Sequence, residues 1–369
     1  MNSSAAGRLL ALTLGGVCAV AHAEAVSING FLTTSLVGID ESATYLNAFT
    51  DQPRFDNTDS RLGLQFTGAI NDRMSATAQL LARGRGSNNT IETDWAFVSM
   101  DVAAQAQVRA GKLKFPTFLI SDYYEVGYAY PWMRPPQEVY SLNPISTLVG
   151  VDALYTPSLG GTSLLIQPFV GSNRGEAYAS ASQAAMMSAI DPANPTSPGD
   201  AIAFDAPVLA GINAVLNFNA GSLRLGYTHA EVDAQTFGIE GKTAGFASAG
   251  LTVDWHDLVL YTEYVDRDAE SGLMEAAFPD QRAGYVTLGY RLGKFLPHVT
   301  YAKLDEGKDP SNLALKQTSS TVGLRYELAD GAALKFEYQR IEPDQGNPGL
   351  FDRAVEKANL YGLSLDVIF

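Results

Sequence analysis

The chain repeats one rhythm over nearly its whole length: a run of about ten residues with apolar side chains at every second position, then a break. Sixteen such runs are read, at 26–39, 60–70, 74–84, 91–102, 104–115, 149–157, 161–173, 207–219, 221–233, 243–255, 258–268, 281–293, 295–307, 319–329, 332–343 and 357–369. A period of two is a β-strand with one greasy and one polar face. Sixteen of them without an intervening helix must close or stack, because an open sheet edge leaves a row of unpaired backbone groups. The connections alternate in length. One set is tight: Asn71-Asp72, Ala103, Ser158-Leu159-Gly160, Ala220, His256-Asp257, Lys294 and Asp330-Gly331. The other is long and polar: 40–59, 85–90, 116–148, 174–206, 234–242, 269–280, 308–318 and 344–356. A stacked sandwich would show the same alternating faces. It has no reason to sort its loops by parity, whereas an up-and-down antiparallel barrel puts all tight turns on one rim.

The faces follow the rhythm. On 60–70, Leu62, Leu64 and Phe66 oppose Arg61, Gly63, Gln65 and Thr67. On 207–219, Ile212, Ala214 and Leu216 oppose Gly211, Asn213 and Asn217. On 332–343, Leu334, Phe336 and Tyr338 oppose Lys335, Glu337 and Gln339. Two strands are less regular. On 91–102 the register of Trp95 and Phe97 stays open, and 258–268 fits only if Glu263 points inward. Tyr290, Tyr301, Tyr326 and Tyr361 fit an interfacial aromatic belt or an ordinary core.

Residues 1–23 read as a secretory signal peptide: Arg8, then the apolar stretch 9–20, then Ala21-His22-Ala23 as a small-residue cleavage site. The lone cysteine, Cys18, lies inside it, so 24–369 is expected to fold as one barrel without disulfides. Forty acidic side chains against twenty-five basic ones give a formal net charge of −15. That argues against nucleic acid, whose phosphates need a basic footprint.

The last strand is the clearest. Tyr361, Leu363, Leu365, Val367 and Phe369 share one face; Leu360, Gly362, Ser364, Asp366 and Ile368 share the other. One side suits lipid, the other water. The terminal aromatic with alternating hydrophobics before it resembles the assembly signal of Gram-negative outer-membrane barrels, which marks Phe369 and Tyr361 for the outer-membrane assembly machinery.

Residues 116–148 form a long loop that is too aromatic to be disordered, with Tyr123, Tyr124, Tyr128, Tyr130 and Trp132. Its bulk needs an interior, and a sixteen-stranded barrel offers a wide one. With Ser60-Arg61-Leu62-Gly63 on the second strand and Arg109-Ala110-Gly111-Lys112 before the loop, the chain resembles the general porins of Gram-negative outer membranes. The run Pro131-Trp132-Met133-Arg134-Pro135-Pro136 departs from that family's shorter acidic, glycine-bearing loop.

The resemblance implies an all-β transmembrane barrel of sixteen strands, with short periplasmic turns, long extracellular loops and a third loop folded into the lumen. It implies passive diffusion of small hydrophilic solutes and ions, with membrane lipid, lipopolysaccharide and two further copies in a homotrimer as partners. On this reading Arg61, Arg83, Arg109 and Lys112 line the wall of a constriction, and Asp122, Glu125, Arg134 and Glu138 face them from the loop. Such opposed charges set up a transverse field favouring polar solutes. For each arginine the alternative is an ion pair that braces the loop.

No metal-ligand spacing, nucleophile elbow or Walker-type loop is found, so neither cofactor nor catalytic residue is expected. A substrate-specific channel for sugars, carboxylates or phosphate remains the alternative, and a barrel-borne enzyme or adhesin a remoter one.

Overall fold

The computed structural model describes residues 26–85, 88–309 and 311–369. The segment read as a signal peptide lies outside them. The strands are β1 Ser27–Ile39, β2 Arg54–Asn71, β3 Met74–Arg85, β4 Asn88–Ala103, β5 Ala106–Lys114 and β6 Thr147–Tyr155. They continue as β7 Thr162–Tyr178, β8 Ala201–Phe218, β9 Gly221–Ala234, β10 Ile239–Trp255 and β11 Leu258–Ala269. The last are β12 Gln281–Tyr290, β13 Phe295–Glu306, β14 Gln317–Ala329, β15 Ala332–Pro343 and β16 Ala358–Ile368. Residues 158–159 add a two-residue extension after β6, paired to β7.

Each strand pairs antiparallel with its neighbour, and β1 pairs with β16 through Phe31↔Ile368 to Ile39↔Leu360, which closes the ring. Phe369 seals the seam: its N–H donates to Gly30 O at 2.9 Å and its carbonyl accepts from Gly30 N at 2.7 Å. A Cβ on Gly30 would sit 2.4 Å from the Phe369 ring, so glycine makes room for the terminal aromatic.

Alternation sorts the side chains as expected from the sequence. Leu62, Ile212, Leu225, Val322, Phe336 and Tyr361 are exposed on the outer wall, while Asn213, Arg224, Arg325 and Lys335 are buried on the inner one. Tyr290, Tyr301 and Tyr361 are also exposed, and Tyr326 stacks on Phe295 with ring centroids 4.8 Å apart. Glu263 points inward.

The ambiguous β4 is resolved by a bulge. The ladder slips between Gln79 and Leu80, leaving Asp94 without an opposite partner. The slip turns Asp94 inward to accept from Gln79 Nε2 at 2.7 Å. Beyond it Val98, Met100 and Val102 are exposed, while Phe97 lies under the guanidinium of inward Arg109 at 5.3 Å.

Several boundaries differ from the sequence reading. The long connection expected at 85–90 reduces to 86–87, outside the described residues. The one expected at 174–206 reduces to 179–200, because β7 and β8 run on past the rim. The loop expected to be helix-free holds helix α1 Ala181–Ile190, started by a capping box. Ser180 Oγ accepts from Gln183 N at 3.2 Å, and Gln183 Oε1 accepts from Ser180 N at 2.9 Å. Gln183 also donates to Ala277 O at 2.7 Å, tying this loop to the next long one but one.

The largest apolar cluster lies inside the barrel. Residues 115–146 leave the rim after β5, and Phe118, Ile120, Tyr130, Trp132 and Tyr140 pack on Phe246, Val265, Tyr285 and Leu304 of the opposite wall.

Candidate pore constriction

Strand register puts Arg61 of β2 directly opposite Arg83 of β3. Like charges facing one another across a ladder repel. The inserted loop supplies the counter-charge. Glu125 Oε2 accepts from Arg61 Nη1 at 3.0 Å and Glu125 Oε1 accepts from Arg83 Nη1 at 2.8 Å. Arg61 also donates to Tyr130 Oη at 2.9 Å, and Arg83 Nε donates to Glu92 at 3.0 Å. Burial pushes the Glu125 carboxyl up, but Arg83 and Arg61, with Lys114, outweigh it and hold the group at about 2, below its ordinary 4.5.

The same pattern of loop and wall charges repeats nearby. Arg134 of the loop forms a two-pronged pair with Asp59 of β2, its guanidinium 4.0 Å from the Phe49 ring centroid. Lys114 at the end of β5 donates to Asp94 at 2.7 Å. Asp59, Arg61, Arg83, Lys114, Glu125 and Arg134 border a vestibule of about 680 Å³ between the loop, the β2–β3 wall and the rim segments around Asn47, Gly199 and Asp352.

The remaining expected residues separate. Arg109 pairs with Asp152 of β6, which also accepts from Gln167 at 2.8 Å. Asp122 is exposed on the loop, within coulombic reach of Arg109. Two placements correct the sequence reading. Glu138 faces no aqueous space: it is fully buried between loop and wall, accepting from Gln317 at 2.8 Å, and burial pushes its carboxyl up. Lys112 is opposite Ala96 and beside Val149, which is exposed on the outer wall. With Arg109 inward, a residue three positions on falls on the other face. Its ammonium accordingly donates to the Thr93 carbonyl on that side.

A family model described as Gram-negative porin matches residues 9–346. The chain belongs to the Gram-negative porin family. It is thus an outer-membrane channel for passive diffusion. Solved structures agree in fold. An anion-selective porin from Comamonas acidovorans is 14% identical with a TM-score of 0.60, over 94% of this chain and 99% of that one. OmpF of Salmonella typhi, in complex with daunomycin, is 14% identical with a TM-score of 0.59, over 93% and 97%. The outer-membrane channel DcaP of Acinetobacter baumannii is 13% identical with a TM-score of 0.58, again over 93% and 97%. Comparison with curated proteins finds no match.

In this porin the loop is held by a set of wall residues that sequence reasoning left unassigned. Arg224 donates to the carbonyls of Pro116 and Thr117, the latter at 3.0 Å. Arg325 Nη1 donates to Tyr128 O at 2.6 Å and Tyr130 O at 3.0 Å. Lys335 Nζ donates to Gly127 O at 2.6 Å and Trp132 O at 2.7 Å. Carboxylates take the amides: Glu263 accepts from Leu119 N at 2.7 Å, and Glu337 from Met133 N at 2.9 Å. An irregular segment packed inside a barrel cannot satisfy its own backbone, and a buried peptide group without a partner costs free energy. The polar faces of β9, β11, β14 and β15 supply those partners. Inward parity was the available signal; the backbone groups they meet were not readable.

Proposed function

We propose that the narrowest aqueous passage runs between Asp122 on the inserted loop and Arg109 on the wall, with the Arg61–Glu125–Arg83 group forming a closed flank beside it. The supporting observation is that Glu125 is bound on both oxygens whereas Asp122 is exposed and has charge opposite to it on the wall. Small hydrophilic solutes and ions cross without any chemical step on the protein. The formal charge of −15 favours cations. By family membership the channel works as a homotrimer in a lipid and lipopolysaccharide membrane. Phe369 and Tyr361, both exposed on the outer face at the closing seam, serve as the signal for the assembly machinery.

Planar-bilayer recording of the purified protein tests this. Stepwise conductance is expected, with a reversal potential on the cation side of a salt gradient. No steps would remove the open-passage reading, and an anion-side reversal would remove the charge preference.

A further inference from the structure

A second, smaller recess opens beside the vestibule. Phe115, Asn143, Pro144 and Ile145 border both spaces, so the end of the inserted loop is the partition between them. The recess measures about 80 Å³, and Leu209, Ala230, Val232 and Phe246 give it an apolar wall. At roughly 30 Å³ for a water-sized group, this is room for about three carbons.

One charged side chain, Arg267 of β11, lines it. The residue is half-buried, and its guanidinium makes four hydrogen bonds, all to neutral oxygens. Nε and Nη2 donate to Pro279 O at 3.2 and 2.7 Å, Nη2 to Gln281 Oε1 at 2.8 Å, and Nη1 to Leu142 O at 2.8 Å. A guanidinium carries five N–H groups, so one on Nη1 is left over. The lumenal arginines 61, 83, 109 and 134 each hold a carboxylate. Arg267 has none within salt-bridge distance among the described residues. Asp280 lies within coulombic reach but does not contact the guanidinium, giving its oxygens to the amides of Ala269 and Asp309.

A positive charge without a contacting counter-ion, lining an apolar recess beside a solute path, fits a ligand with both characters. We propose that the recess binds the alkyl group of a short-chain aliphatic carboxylate, whose carboxylate meets Arg267. This rests on the reading of the lumen as a solute path, and it makes the channel retain such anions briefly rather than pass them as it passes inorganic ions.

The test uses the full-length protein in planar bilayers in potassium chloride, with millimolar butyrate, acetate or n-butylammonium added. Butyrate is expected to interrupt the current about tenfold more strongly than acetate, from its two additional buried methylenes. n-Butylammonium, with the same alkyl group and the opposite charge, is expected to have no such effect. Ala230→Leu, which fills the recess, should reduce butyrate to the level of acetate while leaving the chloride-salt conductance unchanged. Equal action of butyrate and acetate, equal action of butyrate and n-butylammonium, or butyrate block surviving Ala230→Leu would each overturn the proposal. Absence of any conductance in potassium chloride would instead count against the open passage. Calorimetry of the same three solutes on detergent-solubilised protein would then still decide whether the recess binds.

Discussion

Lys335 and Asp366 meet at 3.0 Å on adjacent strands, with neither side chain reaching solvent. Thr33 completes the group, its hydroxyl donating to Asp366 Oδ1 at 2.6 Å. The inserted loop comes down on this group at Gly127. A Cβ there would lie 2.0 Å from Asp366 Oδ1 and 2.7 Å from Thr33 Oγ1. Closeness of approach, rather than backbone angle, thus requires the glycine. The ion pair is both anchor and depth stop: Lys335 binds the loop's carbonyls, and Asp366 leaves no room for a side chain.

Gly127→Ala therefore tests the depth stop. The added methyl forces the loop out or costs about 1–3 kcal/mol in overpacking. The barrel itself is expected to persist, seen as retained heat-modifiable migration on gels, while single-channel conductance changes. Conductance identical to the parent would show that the loop is not seated as described.

Lys335→Met tests the anchor. It leaves Asp366 buried without its cation and two loop carbonyls without a donor, a loss of about 3–5 kcal/mol. Urea denaturation of the detergent-folded protein reads this directly. Adding Asp366→Asn removes the stranded charge and is expected to recover part of the loss. No recovery would assign the cost to the loop carbonyls instead.

Acid should loosen the loop from the other side. Glu125, a loop group outside the spanning strands, is held at about 2 in the folded protein, against an ordinary value of 4.5. A folded value below the unfolded one stabilises above the unfolded value, and that stability drains away as pH falls from about 4.5 toward 2. Conductance recorded between pH 7 and pH 3 is expected to become noisier at the acid end. In Glu125→Gln the same disturbance should be present already at neutral pH, because Arg61 and Arg83 then face each other without a shared carboxylate. A Glu125→Gln channel as quiet as its parent at pH 7 would refute the bracing role.

What was legible in the sequence divides along a physical line. Alternation and turn chemistry are local, and they placed the sixteen strands and the inward side of Arg61 and Lys335. Parity alone was enough to exclude Lys112 from the inner wall once Arg109 was set inward. Trp95 and Phe97 were undecidable because a bulge at Asp94 resets the alternation, and the partners that Asp94 meets, Gln79 and Lys114, lie on the two neighbouring strands. Glu138 was misplaced because a loop residue carries no parity. Helix α1 was lost because residues 181–190, despite four alanines, two methionines and a Ser180–Gln183 capping box, carry no amphipathic stripe to set them apart from a connection. The anchoring of loop carbonyls by Arg224, Arg325 and Lys335 is a long-range match between backbone and side chain, and no period in the sequence encodes it.

Charge at the passage gives the sharpest remaining test. Asp122 has an exposed carboxylate and Arg109 a guanidinium tied to Asp152, so their contributions to the field along the path are opposite in sign. Neutralising the loop charge with Asp122→Asn should move the reversal potential in a potassium chloride gradient toward chloride. Arg109→Gln should move it the other way, and further, because Asp152 then loses its partner and adds an uncompensated negative charge to the wall. Both shifts should shrink in concentrated salt, where the screening length falls to about 3 Å at 1 M. If the two variants moved the potential in the same direction, or if neither moved it, the passage would have to lie elsewhere in the lumen.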